Sequence, residues 1–76
     1  MSELALARQA SDITDPRAGL RAVVALRRLA DTLELKQVQA AVDRGMGWPE
    51  IAAALGVTRQ AVHKKYRHRI QFPKAR

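Results

Sequence analysis

Apolar residues along this 76-residue chain recur mostly three and four positions apart, the period of a helix rather than of a strand. Leu4, Leu6, Ala7 and Ala10 make a short, loose stripe over residues 2–11, with Ser2 placed to cap its start. The run Asp12-Ile13-Thr14-Asp15-Pro16 interrupts it. Pro16 cannot extend a helix from upstream but suits the first turn of a new one. Asp15 then serves as its N-cap, and the carboxylate favours the helix dipole. From Pro16 to about Arg44 the stripe Leu20, Val23, Val24, Leu26, Ala30, Leu33, Val38, Ala41 and Val42 continues. It predicts one helix of roughly 42 Å at 1.5 Å per residue. A break near Thr32–Leu35 is the other reading, though no Gly or Pro supports it there. Gly45-Met46-Gly47 ends the helix, with Gly45 as its C-terminal cap. Trp48-Pro49-Glu50 opens a third helix that stops at Gly56. Thr58 caps a fourth, expected to run to about Arg69, and Ile70-Gln71-Phe72-Pro73 reads as a tail.

The expected fold is therefore all-α. It is a small helical bundle in a single domain, with a short N-terminal helix and break at 1–15 and a long scaffold helix at 16–45. Two short helices joined by a tight turn follow at 48–69, then a basic tail at 70–76. Composition agrees, because Ala, Leu, Arg and Gln are good helix formers and aromatics are scarce. The absence of cysteine excludes disulfides and thiolate metal sites. Two histidines, His63 and His68, are too few for a structural zinc site. No cofactor is expected. No apolar run is long enough for a membrane span, and Met1-Ser-Glu-Leu-Ala-Leu-Ala lacks the basic start and long apolar core of a signal peptide. A cytoplasmic protein is expected.

The net charge of +7 is unevenly spread. Residues 1–15 sum to −2 and residues 16–45 to +3, whereas residues 46–76 carry seven basic groups against Glu50 alone, for +6. A charge run is commonly just a solvated surface. This one falls on a predicted helix that also carries a motif, and a polycation there suits a polyanion.

The stretch Trp48-Pro-Glu-Ile-Ala-Ala-Ala-Leu-Gly-Val-Thr-Arg-Gln-Ala-Val-His-Lys-Lys-Tyr-Arg resembles the helix-turn-helix of bacterial transcription regulators, over about a quarter of the chain. With Gly47-Trp-Pro-Glu-Ile before it, Leu55-Gly-Val-Thr-Arg-Gln-Ala-Val-His-Lys-Lys-Tyr looks like the motif of small actinobacterial helix-turn-helix proteins. It is also similar in outline to the DNA-binding region 4 of sigma factors. The resemblance implies a preceding helix that completes a three-helix bundle, and a transcription regulator. In this pattern Ala52 lies where the helices cross closest, Gly56 ends the first helix, and Ile51 and Leu55 point inward. Val57 plugs the turn and Val62 is the inward residue of the second helix. An aliphatic residue is usual one turn after Val62, and Tyr66 can supply that packing here. Trp48 reads as a core anchor under the motif.

The outward positions carry the chemistry. Thr58, Arg59 and Gln60 stand at the end of the second helix that such proteins insert into the major groove, and His63, Lys64 and Arg67 continue that face. Arg can pair bidentately with guanine and Gln with adenine. The Thr58 hydroxyl competes with its own capping role. His63 reads equally as a base contact and as a plain surface residue. Lys65, Arg69, Lys74 and Arg76 are placed for phosphates, which raise affinity without specifying sequence.

So long a helix should overhang a two-helix head and leave Leu20, Val23, Val24, Ala25 and Leu26 partly bare. Residues 2–11 folding back, or a second subunit, could cover them. Many such proteins read palindromes as dimers, and a homodimer through Leu4–Ala30 is expected. Arg17, Arg21 and Arg28 either flank DNA or simply solubilise the helix. No Ser-His-acid set, paired carboxylates or Gly-rich phosphate loop appears, so an enzyme is not expected. The leading expectation is a sequence-specific regulator of double-stranded DNA. Two other classes stay open: an adaptor that binds a sigma factor, a polymerase subunit or a toxin, and a non-specific architectural or recombination accessory binder.

Overall fold

The computed structural model describes residues 2–72 and is all-helical, a small bundle with no strand among those residues. Four helices follow in order: α1 Glu3–Ser11, α2 Pro16–Asp43, α3 Trp48–Leu55 and α4 Arg59–Tyr66. No helix among the described residues is long and apolar enough to cross a membrane. Two compact units are distinguished, Met1–Leu33 and Glu34–Arg76.

In the first unit, α1 starts where the Ser2 hydroxyl accepts the Ala5 amide at 3.1 Å. Past its end, the Asp12 carboxylate accepts both the Thr14 amide (3.0 Å) and the Thr14 hydroxyl (2.7 Å). These bonds hold the Asp12 carboxyl below its ordinary value. The turn delivers Asp15 as the cap of α2, its carboxylate accepting the Ala18 amide at 3.3 Å. Helix α2 runs its full 28 residues, with no interruption at Thr32–Leu35. Gly19 is buried against the carbonyls of Gln9 and Asp12, where α2 passes the end of α1. Little else is interior. Ala22 is the one buried hydrophobic side chain of the described residues in this unit, while Leu20 stays 67% and Val24 45% exposed. The expectation of a bare first half is met at these two positions. Val23, Ala25 and Leu26 are half-buried.

The core of the second unit is built from Val38 and Val42 of α2, Ile51 and Ala52 of α3, Val62 and Tyr66 of α4, and Ile70. Leu35, Ala41, Met46 and Trp48 pack partly buried around it. Two glycines shape it. At Gly45 (φ +83°) and Gly56 (φ +70°) the backbone enters the left-handed region, where a Cβ is costly. Both helix ends close alike: Met46 donates to the Ala41 carbonyl (3.0 Å) and Gly45 to Val42 (3.0 Å); Val57 donates to Ala52 (3.0 Å) and Gly56 to Ala53 (3.2 Å). This double bond pattern satisfies carbonyls that a helix end otherwise leaves orphaned. Helix α3 packs on α4 across the turn at Gly56-Val57-Thr58, with Ala52 buried as expected.

Three details differ from the sequence reading. Leu55 and Val57 are not fully buried as core positions would be; they are 37% and 47% exposed. The fully buried Tyr66 ring occupies the interior, and both residues rim a shallow recess that Tyr66 also lines. Helix α4 ends at Tyr66 rather than near Arg69. No glycine stops it there; Arg69 and Ile70 instead donate to the Tyr66 carbonyl (2.9 and 3.1 Å), a tightened turn that sends Ile70 into the core. Ile70 and Gln71 are accordingly not free tail. The Gln39 side-chain amide clamps the Gln71 backbone, accepting its N–H at 2.9 Å and donating to its carbonyl at 2.8 Å.

Candidate nucleic-acid interface

Helix α4 is eight residues, Arg-Gln-Ala-Val-His-Lys-Lys-Tyr, with no acidic side chain. It begins at Thr58, whose hydroxyl accepts the Ala61 amide at 3.0 Å. That oxygen is thus engaged by its own helix, and it can offer a ligand only its hydrogen or a remaining lone pair. Val62 and Tyr66 turn inward. Helical spacing then sets Gln60, Lys64 and Arg67 on the opposite side as one stripe at i, i+4 and i+7. All three are exposed, as are Arg59 and His63 on one flank.

That flank meets α3. Trp48 and Pro49 face Arg59, Gln60 and His63 across a concavity of about 340 Å³. The Trp48 ring stands edge-on to His63, with centroids 5.7 Å apart and planes at 83°. On another side it is edge-on to Phe72, at 6.1 Å and 75°. Such T-shaped pairs favour fixed ring orientations.

The other flank is electrostatically occupied. The Lys65 ammonium lies 3.5 Å from the Glu34 carboxylate and 5.3 Å from the Tyr66 ring centre. The Arg69 guanidinium lies 5.5 Å from the same ring and lines a groove with Leu35, Lys36, Gln39 and Asp43. The Tyr66 hydroxyl is buried with no hydrogen-bond partner. Burial first, and second the hydrogen-bonding pull of the Glu34 carboxylate, which acts on the hydroxyl without reaching good hydrogen-bond geometry, push this phenol above its usual value, so it is neutral at physiological pH.

Of the ten residues the sequence singles out, six form or cap the outer side of α4 and its end: Thr58, Arg59, Gln60, His63, Lys64 and Arg67. Lys65 and Arg69 are drawn instead to Tyr66. Lys74 and Arg76 lie outside the described residues. Two contributors escape sequence reasoning: Trp48 as a wall of the concavity rather than only a core anchor, and Glu34 as the partner of Lys65. Neither has a local signal, since each meets α4 only through the fold.

Comparison with family models, curated proteins and solved structures finds no match for this chain.

Proposed function

We propose that this chain is a sequence-specific regulator that binds double-stranded DNA by inserting α4 into the major groove. The observation that carries the reading is the outer side of α4: exposed Gln60, Lys64 and Arg67 in one stripe, flanked by exposed Arg59 and His63, on a helix without a carboxylate. A groove about 12 Å wide admits such a helix. Gln60 and Arg59 offer the amide and guanidinium geometries that distinguish adenine and guanine, whereas Lys64 and Arg67 supply charge for bases or phosphates. The role is one of binding, exercised in the cytoplasm, and requires neither catalysis nor cofactor.

The exposed Leu20 and Val24 on α2 favour a homodimer through Leu4–Ala30 as the DNA-binding form. A protein of the transcription machinery is the competing partner for the same apolar stripe.

The test is selection from a random duplex library by the purified full chain at near-physiological salt. Enrichment of one motif, relaxed by Arg59→Ala or Gln60→Ala, supports a sequence reader. Binding without enrichment turns the assignment to an architectural protein. Absence of binding refutes it and leaves the adaptor reading.

A further inference from the structure

We infer that the concavity between α3 and α4 is a receptor for the 5-methyl group of a thymine in the bound duplex. The inference rests on the DNA-binding reading above and deepens it to a base preference. Its lining is chemically divided. Trp48 and Pro49 contribute two apolar rings, while Arg59, Gln60 and His63 contribute a rim of polar nitrogen groups, and no carboxylate lines it. An occupant suited to this lining presents an apolar group to the two rings, set among hydrogen-bonding edges and near negative charge, and a single methyl fills only the part of the concavity beside the rings. In the major groove the thymine methyl is the apolar group each A·T pair displays, beside acceptor and donor edges and between phosphate rows. Gln60 shares the rim and has the amide geometry to pair with adenine N6 and N7. The same side chain that reads adenine thus borders the recess that takes a thymine methyl.

The recess is also held in place before any ligand arrives. Trp48 is braced edge-on by His63 and by Phe72. Phe72 follows Gln71, whose backbone is clamped on both sides by Gln39. A wall fixed by such supports loses little freedom on binding, so the small gain from one methyl is not cancelled by ordering cost. A sugar–phosphate segment is the rival occupant; it would set its anionic oxygens on the Arg59, Gln60 and His63 rim and deoxyribose C–H groups on the rings, and it would leave thymine and uracil bound alike.

The experiment uses the full chain and the duplex enriched by selection, with each thymine replaced in turn by deoxyuridine. This removes the methyl and leaves every hydrogen-bonding group of the base edge. At one thymine per bound α4, affinity should fall about fourfold, the equivalent of about 0.8 kcal/mol for a buried methyl-sized group. Replacement by 5-bromouracil at that position, which restores the bulk, should recover the affinity. In His63→Ala, an exposed-site variant that opens one wall, the thymine-to-uracil ratio there should shrink toward one. Equal affinity for thymine and uracil at every position overturns this inference while leaving DNA binding intact. So does an enriched motif without thymine. Failure to bind any duplex overturns the DNA-binding reading itself, so the two failures are told apart.

Discussion

Tyr66 concentrates the contradictions of this small core in one side chain. It is the largest fully buried residue, yet its hydroxyl makes no hydrogen bond of good geometry, although the Glu34 carboxylate acts on it. A buried unpaired hydroxyl loses its hydration without return. Tyr66→Phe should therefore be at least as stable as the wild type at neutral pH, by up to ~1 kcal/mol, measured by thermal or urea denaturation. The pH dependence follows from the raised phenol. Near pH 10 the unfolded chain's tyrosine begins to ionise while the folded one keeps its proton. The stabilisation is thus fully present below about pH 10 and lost as pH rises further. The difference between wild type and Tyr66→Phe should shift in favour of the Phe variant above pH 10. A Phe variant clearly less stable at pH 7 would show that the hydroxyl does find a partner. Gly56 poses a backbone question instead. A Cβ there meets nothing within 4 Å, but φ is +70°. Gly56→Ala should cost about 1 kcal/mol through the left-handed conformation alone. That corresponds to a melting point lower by roughly 4–8 °C in a domain of this size. An unchanged melting point would mean that the turn relaxes to another conformation.

At the scale of elements, the two flanks of α4 should behave unequally toward DNA. Lys64 lies on the open stripe, whereas Lys65 is held beside Glu34 and the Tyr66 ring. Lys64→Ala should lower the slope of log affinity against log salt by about 0.9, the value for one phosphate contact. Lys65→Ala should change it less, and titrations at three or four salt concentrations separate the two; equal slopes would place Lys65 on the DNA as well. The clamp on Gln71 gives a second contrast. Gln39→Ala removes both bonds that hold the Gln71 backbone. Hydrogen exchange at the Gln71 amide should accelerate by about tenfold, and the emission of Trp48, the single tryptophan, should shift as Phe72 is released. The tenfold figure corresponds to about 1.4 kcal/mol of lost bonding, within the range for a hydrogen bond or two. Unchanged exchange would mean that Ile70 alone anchors the segment. These elements also show what a sequence can reveal. Pro16, Gly45, Pro49, Gly56 and Thr58 mark helix ends through local backbone chemistry, so all four helices were legible, as was the outer stripe of α4. Leu55 and Val57 are less buried than expected because the depth of burial depends on what fills the interior, and Tyr66 fills it. Glu34 with Lys65, and Gln39 with Gln71, lie 31 and 32 residues apart. No spacing rule connects such pairs; only the packed fold does.

For the whole molecule, the uneven distribution of buried and exposed apolar surface argues for association. The second unit has a continuous core of seven buried hydrophobic residues, whereas in the first Ala22 is the one buried hydrophobic side chain among the described residues. Leu20 and Val24 lie one turn apart on α2 and so share a face, and both are exposed. A chain this short buries a smaller fraction of its surface than a larger one, and association is a common remedy. If a second copy covers this face, the complex is two-fold symmetric and each protomer contributes the same pair. Burying a Leu or Val side chain fully is worth about 1.5–3 kcal/mol. Even partial cover of four such side chains supplies several kcal/mol. Replacing Leu20 and Val24 together by Glu would bring four carboxylates onto the shared face. The dimer should then weaken on the order of a hundredfold or more, since each 1.4 kcal/mol is tenfold. Sedimentation equilibrium of the wild type should give a dimer at tens of micromolar, and of the double variant a monomer. Neither residue lies on α4, so the variant should keep its affinity for a single half-site while losing most of its preference for the two-fold repeat. A monomeric wild type at that concentration would instead leave the stripe to a different protein. Loss of half-site binding in a variant that stays folded would place Leu20 or Val24 in the DNA interface itself.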